Sequence, residues 1–431
     1  FIFSSEIRSI RKFLKKIKKF NINKEMAASY LNLNYIPNNE QTFFQDIKSI
    51  KPAHCMKLNL KGHIEKYYKY WDFKLSDTSN QNNNNSHNLF DNLFKESVKK
   101  RTRCIFDEYS LLLSGGLDSS TLLHYLSSST TKKINTFSFV DKSNIVENNN
   151  IIFFINKYKR ENINNTLIPF EDIEYEKLLN DFFSISDTPL PDASFLITLH
   201  VSKLLKNRKI NVLFKGDGAD EVFCGHQKHL FAYLSYLLMN GRFFDYLKSL
   251  KNLKGSYNQS SYFFFLRSLY ESMPITLKNL IKKNQFNKNK NLFYEKNLYV
   301  PFYDNLDKKN FSNIYKNFIY NWLTPHVSDI EDKIYSFNNV VYRAPFTDHK
   351  LIDFFMSCDL KKSFVNGTKS LLRNNNSLNY PNEIKYNKIK ISFPSGLDRF
   401  ISLNQNDIKD YLYDNINNID FIDSFYFKKI L

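Results

Sequence analysis

Cysteine is scarce in this sequence, and its four residues lie far apart at Cys55, Cys104, Cys224 and Cys358. No two of them form a CxxC pair, so neither a zinc site nor a disulfide framework is indicated. Such cysteine usage is typical of a reducing cytoplasm. The sequence also lacks a run of 18 apolar residues and a signal-peptide pattern. We therefore expect a soluble, cytoplasmic protein.

Glycine is scarce too, with 10 residues among 431, and half of them fall in two short loops. The first loop contains Gly115 and Gly116, and the second contains Gly216, Gly218 and Gly225. Each loop follows an apolar run that predicts a buried strand. Because open α/β sheets bind ligands at the carboxyl ends of their strands, we interpret both loops as parts of a binding site rather than as simple turns.

Acidic residues are too few to balance the basic ones, and the net charge of +18 could suggest a nucleic-acid or membrane partner. The lysines are spread along the chain, and lysine, asparagine and isoleucine are all abundant, as a codon bias toward A and T produces. A lysine-rich predicted helix near the start of the chain is interpreted as a helix with a solvated face. We therefore expect no nucleic-acid partner and no membrane partner.

The first loop lies in residues 111–121, which read Leu-Leu-Leu-Ser-Gly-Gly-Leu-Asp-Ser-Ser-Thr. The leucines predict a strand, and the apolar residues after the loop recur at helical spacing. A strand, tight loop and helix present backbone N–H groups and the positive end of a helix to an anion. Three serine hydroxyls add donors, and both glycines permit positive φ and close backbone approach.

This loop contains no lysine, so it is not the GxxxxGK[ST] phosphate loop, and Asp118 instead places a carboxylate among the phosphate donors. A carboxylate among phosphate donors predicts a hard cation that bridges to the phosphates. The second loop follows the apolar run 210–214 and begins with Gly-Asp-Gly-Ala-Asp-Glu at residues 216–221, before Gly225.

The predicted elements define the fold class. Strands at residues 111–113, 134–139, 165–168 and 211–214 alternate with helices at residues 89–100, 146–160, 171–183 and 193–206. This alternation predicts an α/β fold with a doubly wound parallel sheet. After Glu221 the strand patterns almost vanish, and long Phe-, Tyr-, Leu- and Lys-rich segments predict a helical C-terminal lobe.

The residues before this fold predict a smaller, separate part. Residues 1–10 read as a strand that turns into a helix, and residues 55–60 and 64–71 predict a β-hairpin around residues 61–62. Residues 76–88 contain no apolar residue and predict a linker. We therefore expect an N-terminal domain at 1–75, an Asn-rich linker at 76–88 and a main domain at 89–431.

Five motifs resemble those of one known family. Residues 114–120 are similar to the pyrophosphate loop of ATP pyrophosphatases, and residues 216–223 resemble the second signature of asparagine synthetases. Residues 187–194, 343–349 and 367–373 resemble three further motifs, in the family's order. The chain therefore resembles the synthetase domain of the glutamine-hydrolysing asparagine synthetase family. The resemblance implies an adenine nucleotide alpha hydrolase-like fold, preceded by a partial α+β glutaminase-type domain.

The resemblance also implies a reaction and its residues. Aspartate would attack the α-phosphorus of ATP to give an acyl-adenylate, and ammonia would then displace AMP to give asparagine. The residues implied to hold the pyrophosphate are Ser114, Gly115, Gly116, Ser119 and Ser120. Asp118 and Asp220 are implied to coordinate Mg²⁺. Two residues are implied to act in catalysis: Lys369 at the α- and β-phosphates, and Asp217 in the attack of ammonia. The adenine pocket would be lined by Leu112, Phe139 and the backbone at Gly216.

Three residues depart from the family's pattern, and more than one function stays open. Lys215 replaces a small residue, Thr188 replaces an acid, and Val341 replaces a Glu. The substrate could therefore be another carboxylic acid, such as a sugar acid or a cyclising substrate, and this alternative rests on Thr188, Asp192 and Val341. An RNA-modifying ATP pyrophosphatase and an inactive relative that serves as a binding module are two further candidates. The RNA-modifying enzymes commonly need paired cysteines, and the intact loop carboxylates count against an inactive protein.

The nitrogen source follows from the N-terminal part. The segment that closes at Trp71 and Asp72 is similar only to the tail of a class II glutaminase domain. The nucleophile of that domain is an N-terminal Cys, and Phe1 has no thiolate. We expect the chain to be a fragment or a form that uses free ammonia, and not to hydrolyse glutamine. The expected partners are aspartate and ammonia, or glutamine through a missing domain, and a homodimer is a further expectation.

Overall fold

The computed structural model describes residues 2–15, 19–33, 40–72, 86–140, 145–159, 161–253, 260–281, 292–294, 310–319, 327–358, 364, 368–375, 378, 380–385, 400–402 and 404–430. Most of the predicted linker and Gly367 of the last motif lie outside these residues. No helix in the described part of the chain is both long enough and apolar enough to cross a membrane.

The N-terminal part contains two helices and a hairpin. Helix α1 spans Ile7–Leu14 and α2 spans Lys24–Leu33, while β1 (His54–Leu58) pairs antiparallel with β2 (Ile64–Lys69). The hairpin is confirmed, with Gly62 at φ +81° in its turn. The strand predicted at the start of the chain is wrong, because residues 2–6 form no strand and the helix begins at Ile7.

The main fold begins with α3 (Ser86–Arg101), which starts earlier than predicted. Three residues assigned to the linker, at positions 86–88, are therefore helical. Ser, His and Asn are weak helix formers, but polar residues are tolerated in a first turn that stays near the surface. Farther along, α3 buries Phe90, Phe94 and Val98 on one face, and this burial fixes the helix on the core.

A five-stranded parallel sheet forms the centre of the molecule. Its strands are β3 (Glu108–Leu112), β4 (Lys133–Val140), β5 (Ile163–Pro169), β6 (Val212–Phe214) and β7 (Val341–Arg343), in the order β5-β4-β3-β6-β7. The intervening helices are α4 (Leu117–Ser129), α5 (Ile145–Lys157), α6 (Tyr175–Ile185) and α7 (Ser194–Asn207). The predicted doubly wound parallel sheet is confirmed.

Apolar residues on both faces bury this sheet, as expected for parallel strands covered by helices. Leu111 and Phe214 belong to one core cluster with α3, and Phe137 and Leu213 belong to another with α6 and α7. Neighbouring residues of a strand enter opposite clusters because their side chains alternate between the faces.

Strand β7 was not predicted, because its residues were read only as part of a motif. It has three residues, and it follows a long helical stretch. It pairs with β6 through Val212 and Val341, Leu213 and Tyr342, and Phe214 and Arg343. A run this short carries no recognisable alternation, so pairing with β6 rather than its own pattern determines its position.

The predicted C-terminal helical lobe is confirmed. The remaining described helices are α8 (Ala219–Val222), α9 (Gln227–Met239), α10 (Phe243–Asn252), α11 (Ser261–Ser272), α12 (Ile275–Ile281), α13 (Phe311–Phe318), α14 (Asp329–Phe337), α15 (His349–Ser357), α16 (Ser370–Arg373), α17 (Asn382–Lys385), α18 (Gln405–Asn415) and α19 (Ser424–Ile430).

Candidate active site

Both glycine loops lie at the point where the strand order of the sheet reverses. From β3 the chain proceeds outward to β4 and β5, and then returns to place β6 on the other side of β3. The first loop follows β3 and the second follows β6, so they face each other across the resulting crevice. This is the usual ligand position in an open α/β sheet.

The first loop needs glycine at one of its two positions. Gly115 has φ +70°, and a Cβ there would lie 2.9 Å from the backbone nitrogen of Ile151. Gly116 has φ −79°, and the nearest neighbour of an added Cβ is Ser114 Oγ at 3.3 Å. Of the two glycines that permit a positive φ, only Gly115 therefore adopts it.

Helix α4 presents an uncapped N-terminus to this loop. Gly116 is its N-cap residue, and a glycine has no side chain that could accept a hydrogen bond from the first backbone N–H groups. These donors and the helix dipole favour an anion at this end. The two glycine loops also touch, because a Cβ on Gly216 would lie 3.3 Å from the backbone nitrogen of Ser119.

The three loop serines occupy different environments. Ser119 Oγ accepts from the backbone N–H of Ser114 at 3.2 Å and lies 3.0 Å from Ser114 Oγ. These bonds shape the loop. Ser120 is 1% exposed, and its Oγ has no hydrogen-bond partner among the described residues. All three keep their assignment to pyrophosphate binding as a prediction.

Lys369 joins the carboxylates of the two loops. Its Nζ lies 2.6 Å from Asp118 Oδ2 and 2.7 Å from Asp220 Oδ1. Burial lowers the pKa of Lys369, but the attraction of Asp118 and Asp220 outweighs it, so the pKa is raised overall. The ammonium therefore stays charged at neutral pH. The structure thus brings together three residues that the sequence placed in one site.

Lys369 has a strained backbone conformation that its neighbours stabilise. It precedes α16 with φ +55°, a left-handed conformation that is strained for a lysine. Arg373 stabilises the turn, because its Nε donates to the carbonyl of Thr368 at 3.0 Å and its Nη1 donates to the carbonyl of Ile384 at 2.9 Å. The final arginine of this motif is therefore structural.

Gly225 was noted in the sequence but not assigned a role. A Cβ at this position would overlap Asp220 Oδ1 and Lys369 Cε. Only a residue without a side chain lets the lysine approach both carboxylates. The signal available in the sequence was the scarcity of glycine.

Asp217 belongs to an adjacent cluster of charged and phenolic groups. Tyr342 on β7 donates its hydroxyl to Asp217 Oδ2 at 2.7 Å, and Lys215 Nζ lies 3.2 Å from the same oxygen. Lys215 Nζ also lies 2.6 Å from Glu331 Oε1 on α14. Burial raises the pKa of Glu331 to about 7, against the opposing effect of Lys215. No sequence pattern marked Glu331 or Tyr342 as members of the site.

The two side chains assigned to the adenine pocket lie at the ends of β3 and β4. Leu112 and Phe139 both pack in the core cluster on one face of the sheet. Phe139 is 6% exposed and stacks on Phe170, with ring centroids 5.3 Å apart. Their role toward adenine stays a prediction.

The Asp118 and Asp220 carboxylates fit a cation that is coordinated by a bound nucleotide as well as by the protein. Within the described ranges, no group of three or more His, Cys, Asp or Glu residues is arranged to hold a metal ion. Asp118 and Asp220 instead converge as a pair on the single ammonium of Lys369. Magnesium in nucleotide sites is typically bound by one or two carboxylates together with phosphates. The pair therefore fits Mg²⁺ that arrives with a nucleotide.

The known proteins similar to this chain include two curated asparagine synthetases and a solved tRNA thiolase structure. A putative asparagine synthetase (glutamine-hydrolyzing) 2 from Methanocaldococcus jannaschii is 31% identical over 54% of this chain and 44% of that protein. Asparagine synthetase (glutamine-hydrolyzing) 2 from Bacillus subtilis is 24% identical over 53% of this chain and 32% of that protein. The matched region therefore spans less than half the length of either relative.

The solved structure is the U34-tRNA thiolase NcsA from Methanococcus maripaludis, at 14% identity and a TM-score of 0.25, covering 58% of this chain and 78% of that chain. A likeness at this level carries no argument about function. The model of the asparagine synthase family, by contrast, matches residues 89–429. The match includes both glycine loops and Lys369, and it shows that the chain belongs to the asparagine synthase family.

Proposed function

We propose that this chain forms an amide by activating the side-chain carboxylate of aspartate with ATP and transferring ammonia to it, which gives asparagine, AMP and pyrophosphate. The observation that carries the proposal is the position of Lys369 between Asp118 and Asp220 at the reversal point of the sheet. Family membership and the names of the two curated relatives support it.

The chemistry requires activation because a carboxylate is a poor electrophile. Adenylation makes AMP the leaving group, and the first step expels pyrophosphate. The loop at Gly115 and the uncapped end of α4 would hold the pyrophosphate, and the Lys369 ammonium would stabilise charge that develops on the phosphates. These groups are already ordered on strands and helices, so positioning supplies part of the rate.

Magnesium would be held by Asp118 and Asp220, and when bound it would neutralise phosphate charge. Asp217 would act in the second step, where its carboxylate would accept a proton from the attacking nitrogen. Aspartate is the proposed substrate because the curated relatives are named for asparagine synthesis. Homodimer formation, the lack of nucleic-acid and membrane partners, a cytoplasmic location and the domain boundaries stay predictions.

A second candidate is amidation of another carboxylic acid. It is favoured by Lys215, a largely buried cation that stands where the family has a small residue and that lies 3.2 Å from Asp217. A panel that includes aspartate, glutamate and sugar acids separates the two candidates. The acid that supports exchange of labelled pyrophosphate into ATP identifies the substrate.

The decisive variant is Asp118→Asn, which removes a carboxylate charge from the first turn of α4 and leaves the apolar core intact. We expect it to abolish acid-dependent ATP–pyrophosphate exchange. Asp420→Asn is the matched control, because Asp420 forms an exposed ion pair with Lys24 away from the crevice. Near-normal exchange by folded Asp118→Asn protein would contradict the assignment.

A further inference from the structure

We propose that Lys215 and Glu331 are positioning residues that hold the Asp217 carboxylate for the amine-transfer step. The inference rests on the proposed function, and it adds two residues that neither the motifs nor the comparisons assign. Its basis is a chain of contacts that begins on the helices α7 and α14 and ends at the second glycine loop.

Asp217 needs external anchors because of its neighbours. It stands between Gly216 and Gly218, and Gly218 has φ +87°. A residue flanked by two glycines has a backbone with more accessible conformations than usual. A side chain at such a position keeps one orientation only when other elements hold it.

Two anchors reach the same oxygen of Asp217. The Tyr342 hydroxyl donates to Oδ2 at 2.7 Å, and Lys215 Nζ lies 3.2 Å from it. Burial and the negative charge of Asp217 raise the pKa of Tyr342, so the phenol keeps its proton and remains a donor. In the described part of the chain both contacts use Oδ2, and Oδ1 is the oxygen left to face an incoming amine.

Glu331 in turn fixes Lys215. The Glu331 residue is 3% exposed, and its Oε1 accepts from Lys215 Nζ at 2.6 Å and from Thr198 Oγ1 at 2.8 Å. The closer contact of Lys215 is therefore with Glu331, which prevents the ammonium from pairing fully with Asp217. Because a buried ammonium without a counter-charge is costly, the position of Lys215 depends on Glu331.

Helix α14 supports both anchors at once. Glu331 and Tyr335 lie four residues apart, on one face of the helix. Tyr335 stacks on Tyr342 with ring centroids 5.7 Å apart and an interplanar angle of 13°. The same helix face thus orients the phenol and the ammonium that contact Asp217.

The competing explanation is that the Lys215–Glu331 ion pair only stabilises the fold. Measuring the two half-reactions separately distinguishes this role from the positioning of Asp217. Acid-dependent ATP–pyrophosphate exchange reports adenylation, and amide formation with ammonium reports amine transfer. A positioning role for Lys215 and Glu331 predicts that Lys215→Met and Glu331→Gln keep exchange within about 3-fold of the wild-type rate but lower amide formation by about 10² or more.

Ser202→Ala is the matched control. Its hydroxyl accepts a buried hydrogen bond from Asn338 Nδ2 at 2.8 Å, and this bond joins α7 to the end of α14 without contacting Asp217. We expect it to lower the melting temperature while leaving the ratio of amide formation to exchange unchanged. The double variant Lys215→Met with Glu331→Gln removes both members of the buried Lys215–Glu331 pair, so it should recover stability relative to Glu331→Gln but not amine transfer.

Three results would overturn the inference. They are unchanged amide formation by Glu331→Gln, a parallel loss of both half-reactions in every variant, and a crystal structure of Glu331→Gln in which Asp217 keeps its orientation. If the wild-type chain shows no exchange with any acid, the proposed function fails instead. The crystal structure then still decides whether Glu331 positions Asp217.

Discussion

The absence of a side chain at Gly225 lets Lys369 reach Asp118 and Asp220. An added Cβ would overlap Asp220 Oδ1 and Lys369 Cε, so Gly225→Ala must displace one of them. Because the lysine is proposed to act on transition-state charge, we expect acid-dependent ATP–pyrophosphate exchange to fall by about 10² or more. The exchange rate at saturating ATP measures this.

The control for this variant is Gly241→Ala. Gly241 has φ +66°, and an added Cβ would meet nothing within 4 Å. The change should cost about 1 kcal/mol of unfolding free energy through backbone strain and leave exchange unaltered. Equal activity in the two variants would show that the packing at Gly225 does not matter for the reaction.

Residues in a local pattern were predictable, and residues joined only by folding were not. Gly115 and Asp118 lie within one short loop, where glycine scarcity and residue type indicate an anion site. Lys369 could be placed in the site only through the family motif, since it is 251 positions from Asp118. Glu331 had no such motif, and its contact with Lys215 spans 116 positions.

At the scale of elements, the motif at residues 343–349 serves the start of α15. Asp348 Oδ1 accepts from the backbone N–H of Lys350 at 3.0 Å, and Oδ2 lies 3.1 Å from Arg101 Nη1 on α3. Asp348→Ala removes a helix cap and a largely buried ion pair together. We expect it to lower the unfolding free energy by about 2 kcal/mol, as measured by urea denaturation at pH 7.

Acid should remove the same stabilisation from the wild-type protein. Burial raises the pKa of Asp348, but the bonds from Lys350 and Arg101 outweigh it and hold the pKa below the ordinary 3.8. Stability from this group is therefore complete above pH 3.8 and is lost as the pH falls further. Asp348→Asn should flatten that acid limb, and an unchanged slope would contradict the cap.

Elements were predicted where their sequence pattern is long enough. Strand β4 and helix α7 carry clear periodicity, so their existence and type were predicted correctly. Strand β7 has three residues, and its partner β6 lies far upstream. Tertiary pairing rather than local propensity forms such a strand, so the edge of the sheet and the Tyr342 hydroxyl could not be foreseen.

At the scale of the molecule, Asp187 contacts the N-terminal helix α1 and links it to the main fold. Its Oδ2 accepts from the backbone N–H of Arg8 at 3.0 Å, and Oδ1 lies 3.6 Å from Arg11 Nη1. Because α1 has no buried residue, its attachment depends on such surface contacts, which also include Arg8 over the Phe337 ring. Asp187→Ala should speed hydrogen exchange of the α1 amides by about tenfold and leave α4 unchanged.

Lys177→Ala is the control for Asp187→Ala. Lys177 pairs with Glu174 at 3.2 Å, and both side chains are at least 70% exposed, so the loss should be negligible. Unchanged α1 exchange in Asp187→Ala would mean that other contacts hold the helix. The motif at residues 187–194 would then have no role in joining the two parts.

The crevice between β3 and β6 is proposed to transfer AMP to a carboxylate. The most direct measurement supplies the chain with ATP, Mg²⁺, ammonium and aspartate labelled with ¹⁸O in its side-chain carboxylate, and follows the label by mass spectrometry. Adenylation predicts one ¹⁸O atom in each AMP released, with asparagine formed in equal amount. Label in inorganic phosphate with release of ADP, or AMP that carries no label, would contradict the account.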